Sequence, residues 1–183
     1  MDEIVKQAMA KWPNVPDCFG WLGLDNRGQW CLRDDAVQAA GAFGGGAAGA
    51  KGSVLRHEKL LEFIHRNYAK DTQGRWYFQN GPQRVYVELE STPWVWRIQN
   101  DFSVQSHTGE ETQCNRCLMD EHGWLYLDTP LGFGLVHTQD VPIAALAIEQ
   151  GLWAVEDAVR QDLPAQFGYT QSPAGQQTQT TSK

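Results

Sequence analysis

The chain has no apolar run near the roughly 20 residues that a membrane-spanning helix requires. Its opening residues, MDEIVKQAMAKW, mix acids and bases around no signal-peptide core. These absences exclude a helical membrane protein and point to the cytoplasm. Basic residues are few: 15 Lys and Arg stand against 22 Asp and Glu, a net charge of −7. No cluster of cations reverses that balance locally. Phosphate neutralisation supplies most nucleic-acid affinity, and polybasic stretches supply most attachment to anionic membranes, so neither partner is expected. Only four Cys are present, too few to demand a disulfide framework and compatible with reduced thiols. Catalytic signatures are missing as well. No Gly-x-Ser-x-Gly elbow occurs, and the Gly-rich stretch ends in Lys51-Gly52 where a phosphate loop needs Gly-Lys-Ser/Thr.

What the chain does have is aromatics and turns. Asp-x-x-Gly followed by an aromatic occurs three times: Asp25-Gly28-Trp30, Asp71-Gly74-Trp76 and Asp120-Gly123-Trp124. Asp opens such a turn by accepting backbone N–H groups downstream, and Gly takes the left-handed position that closes it. The spacing predicts three hairpins. Of the eight Trp, the six placed in strands, Trp21, Trp30, Trp76, Trp94, Trp96 and Trp124, are read mainly as core filler, with a ligand-stacking platform as the rarer alternative.

Along the chain, residues 2–11 read as a short amphipathic helix broken by Pro13 and Pro16, followed by a hairpin over 19–33. Residues 36–52, AVQAAGAFGGGAAGAKG, read as a flexible Gly/Ala insertion. Ser53 is placed as the cap of a helix over 54–69. Strands follow at 76–79, 84–90 and 94–98. In the second of these, Val85, Val87 and Leu89 alternate with Arg84, Tyr86, Glu88 and Glu90, the pattern of a sheet with one solvated face. Residues 99–113 read as a connection, and hairpin arms follow at 116–119 and 124–128. Another strand is placed near 131–136, and a helix at 141–150 with Asp140 as its cap.

The expected fold is α+β: antiparallel β-hairpins with covering helices. The boundaries are an N-terminal α+β subdomain over 1–110, a C-terminal one over 111–163, and a disordered tail over 164–183. The stretch 22–32 rhymes with 117–127, which leaves two similar subdomains, and a duplication, open.

Several phrases carry a resemblance: Trp12-Pro-Asn-Val-Pro with Trp21-Leu-Gly-Leu-Asp, Phe78-Gln-Asn-Gly-Pro-Gln-Arg-Val, Thr92-Pro-Trp-Val and Gly134-Leu-Val. Over most of residues 12–173 the chain resembles an uncharacterised proteobacterial family, a domain of unknown function. In layout it is also similar to a second uncharacterised family that folds as two similar α+β subdomains and for which a role in signal transduction has been suggested. The resemblance implies the fold and hints at regulation. It supplies no catalytic residue.

The candidate residues are therefore read one by one. Asn80, Gln83 and Arg84 put amides and a guanidinium at a hairpin tip, where recognition groups often sit. His137 and Asp140, just before the last helix, are placed to receive an anion or a polar ligand. Cys114 and Cys117 have metal-ligand spacing, with His107 and His122 nearby, but a structural zinc needs four ligands. The leading functional expectation is a non-catalytic module that binds a small molecule or a protein partner. An enzyme assembled from dispersed His and acidic residues and a zinc-stabilised interaction protein are the alternatives. No cofactor other than that zinc is expected, and a homo-oligomer is left open.

Overall fold

The computed structural model describes residues 1–175. In chain order its elements are α1 (Glu3–Lys11), β1 (Cys18–Leu24), β2 (Trp30–Leu32), α2 (Asp35–Ala40), β3 (Ser53–Val54), α3 (Glu58–Arg66), β4 (Tyr68–Lys70), β5 (Trp76–Asn80), β6 (Gln83–Leu89), β7 (Trp94–Ile98), β8 (Val104–Ser106), β9 (Glu111–Thr112), β10 (Arg116–Asp120), β11 (Leu125–Thr129), β12 (Gly132–Val136), α4 (Val141–Glu149), β13 (Val155–Ala158) and α5 (Leu163–Phe167). Two compact units result. Unit 1 comprises residues 1–25, 29–90 and those from Tyr169 on; unit 2 comprises 26–28 and 91–168. The main boundary falls between Glu90 and Ser91, where the sequence reading places it after residue 110. The difference arises because β7 and β8 pair into the second sheet.

The three Asp-x-x-Gly turns form as predicted. Gly28, Gly74 and Gly123 have φ of 75°, 76° and 79°, the left-handed region glycine enters without steric cost. The Asp71 Oδ1 accepts from the N–H groups of Gln73 and Arg75 at 2.9 and 3.0 Å. Asp120 Oδ1 accepts from His122 and Trp124, both at 2.9 Å.

Sheet 1 runs β3-β2-β1-β6-β5-β4 and sheet 2 runs β13-β10-β11-β12-β7-β8-β9. Read from opposite ends, they follow one plan. A hairpin with a short outer strand, β1-β2-β3 or β7-β8-β9, joins a three-stranded meander, β4-β5-β6 or β10-β11-β12. The join is a parallel pair, β1 with β6 and β7 with β12; β13 is an addition to sheet 2. This plan corrects the rhyme read from sequence. The Asp71 turn between β4 and β5 matches the Asp120 turn between β10 and β11. The Asp25 turn matches the β7–β8 turn, where Phe102, at φ 66°, occupies the left-handed position in place of a glycine.

In unit 1 the helix α3 covers one face of the sheet. Ile64 is buried, and Phe63 meets Phe78 edge-on at 5.4 Å between ring centroids. The helix is shorter than expected because Ser53 and Val54 pair with β2 instead of capping it. His57 is the cap, its Nδ1 accepting from Leu60 N–H.

The opposite face is covered too, which corrects the solvated-face reading of 84–90. Tyr86 is 0% exposed and Glu88 3%. The Gly/Ala segment is part of that cover. Asp34 caps α2, Phe43 and Ala50 are buried, and the Phe43 ring sits where a Cβ on Gly23 would be. Buried Arg33 donates to the carbonyls of Ala50, Gly20 and Gly41 at 2.7, 3.2 and 2.6 Å, fastening the segment to β1.

The tail expected to be disordered from 164 is anchored as far as it is described. Residues 163–167 form α5, Leu89 N–H donates to Gln171 O at 2.8 Å, and the Glu88 carboxylate accepts from Ser172 Oγ and Ala174 N–H at 2.6 and 3.0 Å. The rest of that call, residues 176–183, lies outside the described residues.

In unit 2 the connection expected over 99–113 contains β8 and β9. Its core is built on Trp96, Tyr126, Leu127 and Leu135, with Ala144 and Ala147 of α4 fully buried. As expected, most of the six Trp placed in strands are core, four of them being buried. Trp30, Trp76, Trp94 and Trp96 are buried, whereas Trp12 and Trp21 are 51% and 43% exposed.

Candidate functional site

A groove of about 620 Å³ opens in unit 1 between the end of α1, the Pro-rich stretch 12–17 and the β5–β6 hairpin. Met9, Trp12, Pro13, Val15, Pro16 and Pro82 provide its apolar walls, while Asn14, Asp17, Gln79 and Arg84 provide its polar groups. Such a volume lies within the usual range for small-ligand sites. The local sequence explains its form. Pro13 and Pro16 prevent α1 from continuing, and Gln83 Nε2 donates to Pro16 O at 3.0 Å, tying the hairpin to the loop.

Gln79 and Arg84 are direct cross-strand partners, so their side chains rise from one face, about 5 Å apart at Cβ. Gln79 is fully buried. Its Nε2 donates to Gly81 O at 2.9 Å, which fixes the amide's orientation, because the reverse would set two acceptors together. Its Oε1 is buried and, among the described residues, receives no hydrogen bond. A buried acceptor left unmatched costs about 1–3 kcal/mol. Arg84 lies over the Tyr77 ring at 4.9 Å. Burial lowers its pKa, but the hydrogen bond with Tyr86 and nearby negative charge, Asp17 included, hold it above the ordinary value. The groove's lining thus holds a buried unmatched acceptor, a cation and an exposed carboxylate among both polar and apolar groups.

Of the residues named from sequence, Arg84 lines this groove, Gln83 braces it, and Asn80 is exposed at the hairpin tip. His137 and Asp140 belong to unit 2. Asp140 is not the cap of α4 by its side chain. Its carboxylate instead accepts from Arg97 Nε and Nη2 at 2.6 and 3.2 Å and from Ile98 N–H at 3.1 Å. Burial raises its pKa, but those donors outweigh burial and hold it below the usual carboxylate range. His137 Nδ1 accepts from Gln139 N–H at 3.2 Å. Trp12 and Asp17 were not among the residues singled out as a site. Trp12 and Asp17 reach the groove only through folding, and no local pattern marks them.

Cys117 is buried on β10 and Cys114 half-buried before it. Burial pushes the Cys114 thiol to about 12, helped by Cys117 and Asp128, and the Cys117 thiol to about 11, helped by Glu156. Both thiols are therefore protonated at neutral pH in the metal-free chain. Among the described residues no three His, Cys, Asp or Glu side chains are grouped to hold a metal ion.

The strongest carboxylate networks are closed ones. Asp71 Oδ2 accepts from Arg75 Nε at 2.8 Å and Tyr86 OH at 3.0 Å. In unit 2, Asp120 Oδ2 accepts from Arg160 Nε at 2.7 Å and Tyr126 OH at 2.8 Å. An Asp, an Arg and a Tyr thus meet at the same turn of both sheets, with the Tyr and the Arg drawn from different places in the chain: Tyr86 on β6 and Arg75 in the turn in one, Tyr126 on β11 and Arg160 after β13 in the other. Unit 2 also has a cleft of about 300 Å³, lined mostly by apolar groups such as Leu125, Leu135, Val136 and Val141.

No helix among the described residues is long and apolar enough to cross a membrane. No curated protein matches the chain. A crystal structure of a DUF1285 family protein from Silicibacter pomeroyi DSS-3 is similar over 78% of this chain and 82% of that one, at 13% identity and a TM-score of 0.44. A family model matches residues 1–174, so the chain belongs to DUF2944, a family described as "protein of unknown function (DUF2946)".

Proposed function

We propose that the chain is a non-catalytic module that binds a small ligand in the unit 1 groove, in a regulatory role in the cytoplasm. The observation that carries this reading is Gln79, a groove-lining residue beside its cross-strand partner Arg84, whose buried Oε1 is left without a donor among the described residues. A ligand donor there would offset a desolvation cost the folded chain otherwise bears. The shifted carboxylates Asp71, Asp120 and Asp140 favour binding over catalysis, because each is occupied by arginine and backbone donors. A catalytic acid or base needs a proton position open to substrate.

The test is a ¹H–¹⁵N titration of the full chain with a set of soluble metabolites. Shifts should gather at 12–17 and 79–84. Arg84→Ala should weaken the binding about tenfold, the cost of a lost charged hydrogen bond. The same change should cost about 1 kcal/mol of stability through the Tyr77 contact. Shifts gathered elsewhere, or turnover of the bound compound, would overturn the reading.

A further inference from the structure

The groove's polar groups differ in sign, and Asp17 lies near enough to Arg84 for its charge to help hold that guanidinium's pKa up. Asp17 is exposed, and its carboxylate takes no hydrogen bond or ion pair from the described residues. Arg84 is half-buried, with its guanidinium on the Tyr77 ring. A groove meant for an anion alone would not place a carboxylate on its wall, since that charge opposes the ligand's. One meant for a cation alone would not hold a guanidinium. A neutral apolar ligand would leave Gln79 Oε1 still unmatched.

We infer that the ligand is a small zwitterion with an apolar side chain, an α-amino acid or a dipeptide. Its ammonium donates to Gln79 Oε1 and faces Asp17, its carboxylate meets Arg84, and its side chain lies against Trp12 and the proline walls. The ammonium has three donors, enough to satisfy the amide oxygen and the carboxylate together. The guanidinium fork suits a carboxylate. Trp12, 51% exposed at the rim, offers a flat apolar wall. The inference rests on the groove being the binding site.

The experiment is calorimetric titration of the full chain with L-leucine, L-phenylalanine and L-leucyl-L-leucine, each beside its N-acetyl and C-amide derivative. Free zwitterions should bind, and loss of either charge should weaken binding about tenfold or more. The amino acids and the dipeptide separate the two sources of the same chemistry. Gln79→Leu should weaken zwitterion binding by a similar factor. Should that variant fail to fold, Asp17→Asn, at an exposed position whose carboxylate takes no hydrogen bond from the described residues, should weaken the zwitterions and leave the N-acetyl compounds unchanged. N-acetyl or amide derivatives binding as well as the parent compounds would overturn the zwitterion assignment and leave the groove reading standing. No binding of any zwitterion would overturn the assignment too. The groove reading falls with it only where the metabolite titration also leaves 12–17 and 79–84 unshifted.

Discussion

Asp120 shows how much one side chain carries. One oxygen organises the β10–β11 turn through two backbone N–H groups, and the other receives Arg160 and the Tyr126 hydroxyl. Burial raises its carboxyl pKa, but the Trp124 N–H, Arg160, Tyr126 and the His122 N–H outweigh burial and leave it below the ordinary value. Asp71 is held low in the same way in unit 1. A carboxyl lowered in the folded state contributes stability above its unfolded pKa, and that contribution is lost as pH falls through the folded pKa. Stability should therefore fall below about pH 4, the unfolded carboxyl range. Asp120→Asn should cost about 2–3 kcal/mol at neutral pH and flatten the acid limb of the stability curve. Urea unfolding across that range measures both, and an unchanged acid slope would show that Asp120 does not drive the pH dependence.

At the scale of elements, what the sequence made legible is what local chemistry decides. An Asp accepting backbone N–H groups within the next four residues and a Gly at positive φ make a turn wherever they stand, so all three turns were readable. The turn at Asn80-Gly81 was readable for the same reason, and it joins β5 to β6. The alternation in β6 misled, because it reports a strand but not what lies over its second face. That cover comes from residues far away in sequence, Phe43 and Ala50 on one side and Ser172 and Ala174 on another. Low complexity likewise hid the order in the Gly/Ala segment. Its small residues read as flexible, but its carbonyls are what Arg33 needs, and Gly23 is what lets the Phe43 ring approach. Arg33→Met keeps the length of the side chain and strands the carbonyls of Ala50 and Gly20 in a buried setting. It should cost about 3 kcal/mol or more. Arg33→Lys should recover little, since a single ammonium cannot reach donors' positions that a planar fork spans. Equal stability of the lysine variant and the wild type in denaturant unfolding would refute this account.

For the molecule as a whole, the chain leaves unit 1 at Glu90 and returns to it at Tyr169. A sequence reading sees only a polar segment rich in Gln, Thr, Ser and Pro there, and composition predicts disorder. The partners that order it lie on β6, about eighty residues earlier, where Glu88 is buried with a carboxylate that needs donors. The unit 1 sheet is thus completed by the far end of the chain, although its own strand plan is repeated in sheet 2 without such a segment. A chain ending at Gly168 loses buried Tyr169, the Gln171 carbonyl that receives Leu89 N–H, and both donors to Glu88. Compared with a chain ending at Gly175, it should be less stable by about 3 kcal/mol or more. Changing Glu88→Gln in the shorter chain should recover part of that loss, because a neutral amide tolerates burial without donors better than a carboxylate does. Thermal and urea unfolding of the three proteins decides the matter. If the two lengths are equally stable, the segment after Gly168 rests on unit 1 without supporting it, and Glu88 tolerates its burial for another reason.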